Sequence, residues 1–256
     1  MSVPALEAKG LCKSFGGVRA AADVSFAVAP QSLTAIIGPN GAGKTTLFNL
    51  ITHLFAPDSG EVRYFGQPLA GRSPGEIAAL GLIRTFQSAR IFPGMTVLEN
   101  ALAGAHLQAR SHPLAQMLWL PSTRRQERSL AARAEALLEL TGLLPHAHAA
   151  ANDLPMGGQK LLEVVRALMA RPRVMLLDEP AAGLNDAETA DLAALLRAVR
   201  ASGITVLVVE HNMSLVMGVA DQVIVLDVGS IVASGTPAEI QRNPRVVEAY
   251  VGQDVL

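Results

Sequence analysis

Gly38-Pro39-Asn40-Gly41-Ala42-Gly43-Lys44-Thr45 fits the pattern G-x-x-x-x-G-K-[ST], which commits the chain around it to a strand, a tight loop and a helix. Its glycines let the backbone wrap until successive N–H groups face one anion, and a helix opening at Lys44 adds the positive end of its dipole. Lys44 can reach β- and γ-phosphates, and the Thr45 hydroxyl can ligate Mg²⁺. The flanks agree with that demand. Ser32–Ile37 is an apolar strand pattern bounded by Pro30 and the glycine loop, and Lys44–Ile51 reads as a helix. The segment therefore predicts a nucleotide-phosphate site.

A phosphate loop fixes no reaction by itself, so other groups must converge on it. Val174-Met175-Leu176-Leu177-Asp178-Glu179 is an apolar strand ending in two carboxylates. One acid at a strand end can hold Mg²⁺ through water, and a neighbouring one can orient the attacking water. That assigns Asp178 to the metal and Glu179 to the water. Arg173–Leu177 and Ile204–Val209 are continuous apolar runs, the pattern of strands covered on both faces in a parallel sheet. Asn185, with Glu188 three residues on, predicts a helix start, and Gly203 its end. Gln222–Leu226 and Ser230–Ser234 form a hairpin pattern across Asp227-Val228-Gly229, followed by a capped helix at Thr236-Pro237-Ala238-Glu239. From about Val97 to Asn152 β-branched residues nearly vanish and Ala, Leu, Arg and Glu dominate. Ser129–Leu140 has a helical rhythm, whereas Ala109–Arg125 shows no clear period. The expectation is an α/β core with an inserted helical region.

Composition narrows the setting. Half of the 256 residues are hydrophobic and 17% are charged, with a mean hydropathy of +0.32. Yet the longest uncharged stretch, Val24–Gly43, is broken by Pro30, Gln31, Pro39 and Asn40, so no membrane span is predicted. A net charge of −1 gives no basic footprint for nucleic acid. Met1-Ser2-Val3-Pro4 lacks the layout of a secretory signal, and the single cysteine, Cys12, fits a reducing compartment and a small buried side chain. His53, His106, His112, His146 and His148 lack the acid or cysteine partners of a metal site.

With five further sites, these motifs resemble the ATP-binding subunit of an ABC transporter over nearly the whole chain. Gln87, in Arg84-Thr85-Phe86-Gln87, falls at the family's Q-loop, where the glutamine contacts metal and water and faces the membrane partner. His211, after Val209-Glu210, falls at the switch histidine that touches the γ-phosphate. Gly183-Leu184-Asn185-Asp186 occupies the D-loop, and Phe15 sits where an aromatic stacks on adenine, although its residue type fits a core position equally well. Pro155-Met156-Gly157-Gly158-Gln159 aligns with the signature motif that closes over ATP bound by a second subunit. Pro155 replaces the usual serine hydroxyl, which leaves backbone and helix dipole to act. A helix over about Gly158–Ala170 should bury Leu161, Val164, Val165 and Leu168.

The resemblance implies one ABC ATPase domain, a P-loop NTPase core with an antiparallel β subdomain and an inserted α-helical subdomain. The core would take residues 1–96 and 158–256, and the helical subdomain 97–157. It implies ATP with Mg²⁺, held by Gly38 through Thr46 and by Thr45, Gln87 and Asp178, with Glu179, His211 and Gln87 as the hydrolytic set. Gly81–Gln87, Phe92–Asn100, Pro180–Asn185 and Gly235–Ile240 with Asn243–Tyr250 resemble the longer-type ATPase of branched-chain amino acid importers. The implied partners are a second ATPase subunit, identical or paralogous, two membrane permeases and, indirectly, a periplasmic or extracellular solute-binding protein, with no nucleic acid. The implied location is peripheral, on the cytoplasmic face of the membrane. Importers of an amide, urea, another amino acid or an aromatic acid remain open alternatives, as does, more remotely, a soluble ABC ATPase. A P-loop kinase would have no use for His211, the D-loop or the Gly157 segment.

Overall fold

A computed structural model describes residues 3–85, 91–106 and 121–246. Gln87 and residues 107–120 lie outside the described residues. The chain divides into two compact units.

The first unit takes the described residues of Met1–Gln87, Arg173–Ala182 and Leu196–Leu256. Strands β1 (Leu6–Phe15), β2 (Val18–Val28), β4 (Ser59–Tyr64) and β5 (Gln67–Pro68) form an antiparallel sheet in the order β2-β1-β4-β5. A second sheet has the order β10-β9-β3-β8-β7-β6, with β3 Leu33–Ile37, β6 Leu82–Arg84, β7 Val174–Asp178, β8 Thr205–Val209, β9 Gln222–Asp227 and β10 Ser230–Gly235. Its strands pair in parallel except at β9–β10, the hairpin. Every residue of β3, β7 and β8 is buried, which is why these strands read as unbroken apolar runs rather than alternations. Helix α1 (Lys44–Ile51) places Leu47, Phe48, Leu50 and Ile51 in the core between the sheets, with Leu6, Leu11, Val28, Ile36 and Leu176. Helix α2 (Pro74–Ala79) opens with a full capping box between Ser73 and Glu76.

The second unit takes the described residues of Ser88–Pro172 and Gly183–Leu195. Helices α3 (Val97–Ala103), α4 (Pro121–Leu140) and α5 (Met156–Met169) gather around Val97, Ala101, Ala134, Leu138, Leu162, Val165 and Met169. Leu161 was expected on the buried stripe of α5 but is only partly buried. Leu162 and Met169 join Val164, Val165 and Leu168 inside, because the covered face is broader than one stripe. A Thr96–Glu99 capping box starts α3, and the fully buried Asn100 holds the preceding loop by accepting from the Phe92 N–H at 2.8 Å. Helix α6 (Asp186–Ala201) begins in this unit and ends in the first. Helices α7 (Met213–Val219) and α8 (Pro237–Gln241) complete the first unit. Among the described residues no helix is long and apolar enough to cross a membrane. Cys12 is half-buried rather than buried, and its Sγ accepts from the Asp23 N–H at 3.3 Å.

Candidate functional site

The ends of β3, β7 and β8 lie side by side, because Ile36 pairs with Val209 and Val209 with Asp178. This is the edge of a parallel sheet where ligands collect. After Ile37 the chain turns through Gly38, Pro39 and Gly41 into Gly43, which caps α1 in the left-handed conformation at φ 97°. A Cβ at Gly38 would run into the Leu226 carbonyl oxygen, and one at Gly43 into the Ala20 carbonyl oxygen. The loop thus hugs β9 and β2, and only glycine permits that approach. Asn40, Gly41 and Thr45 are exposed, Gly43 and Thr46 half-exposed, and Pro39 and Ala42 buried.

Lys44 is buried, and its Nζ donates to the Gly38 and Pro39 carbonyls at 2.6 and 2.8 Å. Burial pushes the ammonium below its ordinary range, and the negative charges of Glu179 and Asp178 partly oppose that. An anionic phosphate is the ligand such a charge lacks, since carbonyl dipoles only partly replace water.

Asp178 ends β7 with 2% of its surface exposed. Its Oδ2 accepts from Arg84 Nη2 at 2.9 Å, whereas Oδ1 is buried with no hydrogen-bond partner among the described residues. A buried carboxylate oxygen left unsatisfied is costly, and a hard cation or its water would satisfy it. The orphaned Oδ1 fits Mg²⁺ or a water bound to it. Glu179, next along, adopts φ 48° and donates its N–H to the Val209 carbonyl at 2.9 Å. A glutamate in the left-handed region is strained, and such strain concentrates at working sites. The turn separates the two acids: Asp178 faces inward and Glu179 is half-exposed.

His211 is exposed on the loop after β8. Its backbone N–H is held by Glu210 at 2.9 Å. Asn212 then accepts from the Leu215 N–H and caps α7. Phe15 is not a core residue. It ends β1 with 43% exposure, its ring meets Phe55 edge-on at 5.6 Å, and the Lys13 ammonium stands 5.6 Å from its centre.

In the second unit Pro155 is the N-cap of α5, so the helix starts at Met156 rather than near Gly158. Pro155 and Met156 are exposed and Gly157 is buried. The Gln159 amide nitrogen folds back to donate to the Leu154 carbonyl at 2.9 Å. Asn185 and Glu188 form the reciprocal cap of α6, with the Asn185 N–H donating to Glu188 Oε2 at 3.0 Å and the Glu188 N–H to Asn185 Oδ1 at 2.9 Å. The other Glu188 oxygen lies where a Cβ on Gly157 would fall, and a Cβ on Gly183 would come 2.6 Å from Met156 Sδ. The Gly183–Asp186 loop and the Pro155–Gln159 turn are therefore packed together, with Leu184 half-buried between exposed neighbours. Sequence reasoning named neither Arg84 nor Glu210 as functional. Their signal was position alone, each beside a nominated residue at a buried strand end.

Comparison with known proteins bears on this geometry. The family model described as "ABC transporter" matches residues 21–182, and that described as "Branched-chain amino acid ATP-binding cassette transporter" matches residues 230–255. The high-affinity branched-chain amino acid transport ATP-binding protein LivG of Escherichia coli K12 is 42% identical over 254 residues, 99% of this chain and 100% of the relative. BraF of Pseudomonas aeruginosa, of the same description, is also 42% identical over the same shares. The crystal structure of the ADP conformation of an ATP-binding cassette of an ABC transporter superposes with a TM-score of 0.84 at 33% identity, covering 98% of this chain and 99% of that one.

Proposed function

The chain belongs to the ABC transporter ATP-binding family, and from that premise we propose that it powers uptake of branched-chain amino acids by ATP-driven closure of a head-to-tail dimer. The observation that carries the reading is the convergence of Lys44, the Asp178–Glu179 pair and the His211 loop on one sheet edge, beside a loop that only glycines can form. The amino acid substrate rests on likeness to LivG and BraF and on the match at residues 230–255.

In this reading the Gly38–Thr46 backbone and Lys44 bind the β- and γ-phosphates, and Phe15 offers its ring to the adenine. Mg²⁺, held by Thr45, Gln87 and Asp178, supplies charge neutralisation at the phosphate oxygens when bound. Glu179 orients the attacking water, while His211 and Gln87 steady the γ-phosphate. Pro155 through Gln159 present the start of α5 to ATP on the second subunit, and Gly183 through Asp186 run along that subunit. ATP binds the closed dimer in preference to the open one, so binding and hydrolysis shift the permeases between two states.

The test is reconstitution with the two permeases and the solute-binding protein in liposomes, followed by ATP-dependent uptake of leucine, an amide and urea. Leucine uptake abolished by Glu179→Gln supports the proposal. Uptake of only another solute overturns the substrate assignment and leaves the ATPase reading intact.

A further inference from the structure

Glu210 has no exposed surface, yet it carries a carboxylate between the end of β8 and His211. Burying a carboxylate is expensive unless its oxygens receive strong hydrogen bonds. Three backbone N–H groups supply them. Oε2 accepts from His211 at 2.9 Å and from Asn212 at 3.0 Å, and Oε1 accepts from Ala181 at 2.6 Å. The first two are local contacts that any short acceptor after a strand could make. The third crosses to the neighbouring strand end and grips the turn that follows Glu179. In that turn the Ala182 N–H returns to the Glu179 carbonyl at 3.2 Å and Glu179 holds φ 48°. The Glu210 N–H also donates to the Ile36 carbonyl at 3.2 Å, on the strand that leads into the phosphate loop.

We propose that Glu210 is a positioning residue for hydrolysis, which fixes the Glu179 turn and the His211 loop in one frame. The inference rests on the reading that Glu179 and His211 act at the γ-phosphate. A carboxylate bridging two backbones moves them together, so neither the water-orienting group nor the phosphate contact can drift alone. Misplacement by about 1 Å can cost roughly 100-fold in rate.

Two substitutions separate the bridge from simple packing. In Glu210→Asp the side chain is one methylene shorter and reaches the His211 and Asn212 N–H groups without spanning to Ala181. In Glu210→Gln the length is kept, but an NH₂ replaces one acceptor and faces an N–H donor. Single-turnover ATP hydrolysis, fluorescent-nucleotide titration and thermal melting are measured on the full chain. Each substitution is also made in a His211→Ala background. The expected result is hydrolysis slowed about 10- to 100-fold, with nucleotide affinity and stoichiometry within about 3-fold of the parent. In the His211→Ala background the further loss should be under about 3-fold, because residues acting as a unit are not additive. Parental hydrolysis in Glu210→Asp, or a full multiplicative loss in the double variant, overturns the proposal. Should both variants melt below the assay temperature, hydrogen exchange on the unaltered protein decides. Slow exchange of the Ala181 amide in step with that of His211 supports the bridge, and independent exchange overturns it. Glu179→Gln and His211→Ala with undiminished hydrolysis would instead overturn the underlying reading of the site.

Discussion

Arg84 Nη2 donates to Asp178 Oδ2 at 2.9 Å, with the two side chains 11% and 3% exposed. The other arm of the same guanidinium donates to Asn49 Oδ1 at 2.6 Å and Thr52 Oγ1 at 3.4 Å, and its Cζ stands 5.5 Å from the Phe48 ring centre. Arg84 thereby ties the acid at the end of β7 to the helix that follows the phosphate loop. It also occupies one oxygen of Asp178, while the other is buried without a hydrogen-bond partner among the described residues.

Removing that guanidinium strands a buried carboxylate. Arg84→Met should cost about 3–5 kcal/mol of folding free energy, the loss expected when one partner of a buried pair is deleted. Arg84→Lys keeps the charge but not the planar fork, so it should lose less and should bond either Asp178 or Asn49 rather than both. Urea unfolding of the three proteins at one pH checks the order. Equal stability of Arg84→Met and the parent would show that the pair contributes nothing net.

The phosphate-loop glycines should not respond alike. Gly38→Ala and Gly43→Ala each push a methyl group into a backbone carbonyl, of Leu226 and Ala20 respectively, so the loop must leave its course. ATP affinity should fall by at least about 10-fold in both, on the order of 1.4 kcal/mol. A Cβ on Gly41 meets nothing within 4 Å, and only its φ of 81° opposes a side chain. Gly41→Ala should therefore cost about 1–2 kcal/mol of strain without displacing the loop. Isothermal titration with ATP, with and without Mg²⁺, distinguishes the two kinds of loss.

Tyr64 supplies a pH dependence of known sign. Burial raises its phenol from 10.0 to about 12, opposed in part by the Arg173 guanidinium, and its hydroxyl donates to the Leu80 carbonyl at 3.2 Å. Because the folded value lies above the unfolded one, the stabilising hold on the proton is fully present below pH 10 and lost as pH rises through about 12. The loss is on the order of 2 kcal/mol. Lys44 shifts the other way, so only the difference between parent and Tyr64→Phe isolates the phenol. That difference should be about 1 kcal/mol in favour of the parent at neutral pH and should shrink or reverse above pH 10. Denaturant midpoints across pH 8–12 measure it.

What the residue pattern made legible depended on how local its cause was. The strand–loop–helix around Gly38 and the buried strands β7 and β8 follow from unbroken apolar runs and glycine spacing, and they came through with edges shifted by a residue at most. The antiparallel sheet was expected but not located. In β1 the pairing slips between Ala8 and Leu11, Leu11 and Lys13, and Lys13 and Ser14, which throws the alternation of apolar and polar residues out of phase. The helix was expected to open near Gly158, but with Pro155 extended as the cap, Met156 and Gly157 already belong to the first turn of α5. The pairings of Arg84 with Asp178 and Glu210 with Ala181 join residues 94 and 29 apart, and no periodicity encodes such contacts. Gln87, nominated for metal and water, lies outside the described residues.

Pro155 separates folding from assembly most sharply. It caps α5 at φ −59° and ψ 161° without a side-chain hydrogen bond, while its carbonyl accepts from the Gln159 N–H at 3.0 Å. That extended geometry is the one a capping serine uses, so Pro155→Ser can place a hydroxyl on a first-turn N–H without moving the backbone. The new cap contributes about 1 kcal/mol. The lost proline ring frees the unfolded chain by about 0.4–1 kcal/mol. The two nearly cancel, so the melting temperature should move by less than a few degrees. Dimerisation should respond differently, because in the proposed assembly this position faces the γ-phosphate held by the other subunit. In a Glu179→Gln background, light scattering after size exclusion should show Pro155→Ser forming the ATP–Mg²⁺ dimer at a several-fold lower ATP concentration than the parent. An unchanged ATP requirement would mean that the helix dipole and backbone already saturate the contact. If both proteins stay monomeric while binding ATP, two copies of this chain do not close on each other, and the same comparison made with a paralogous subunit should then show the gain.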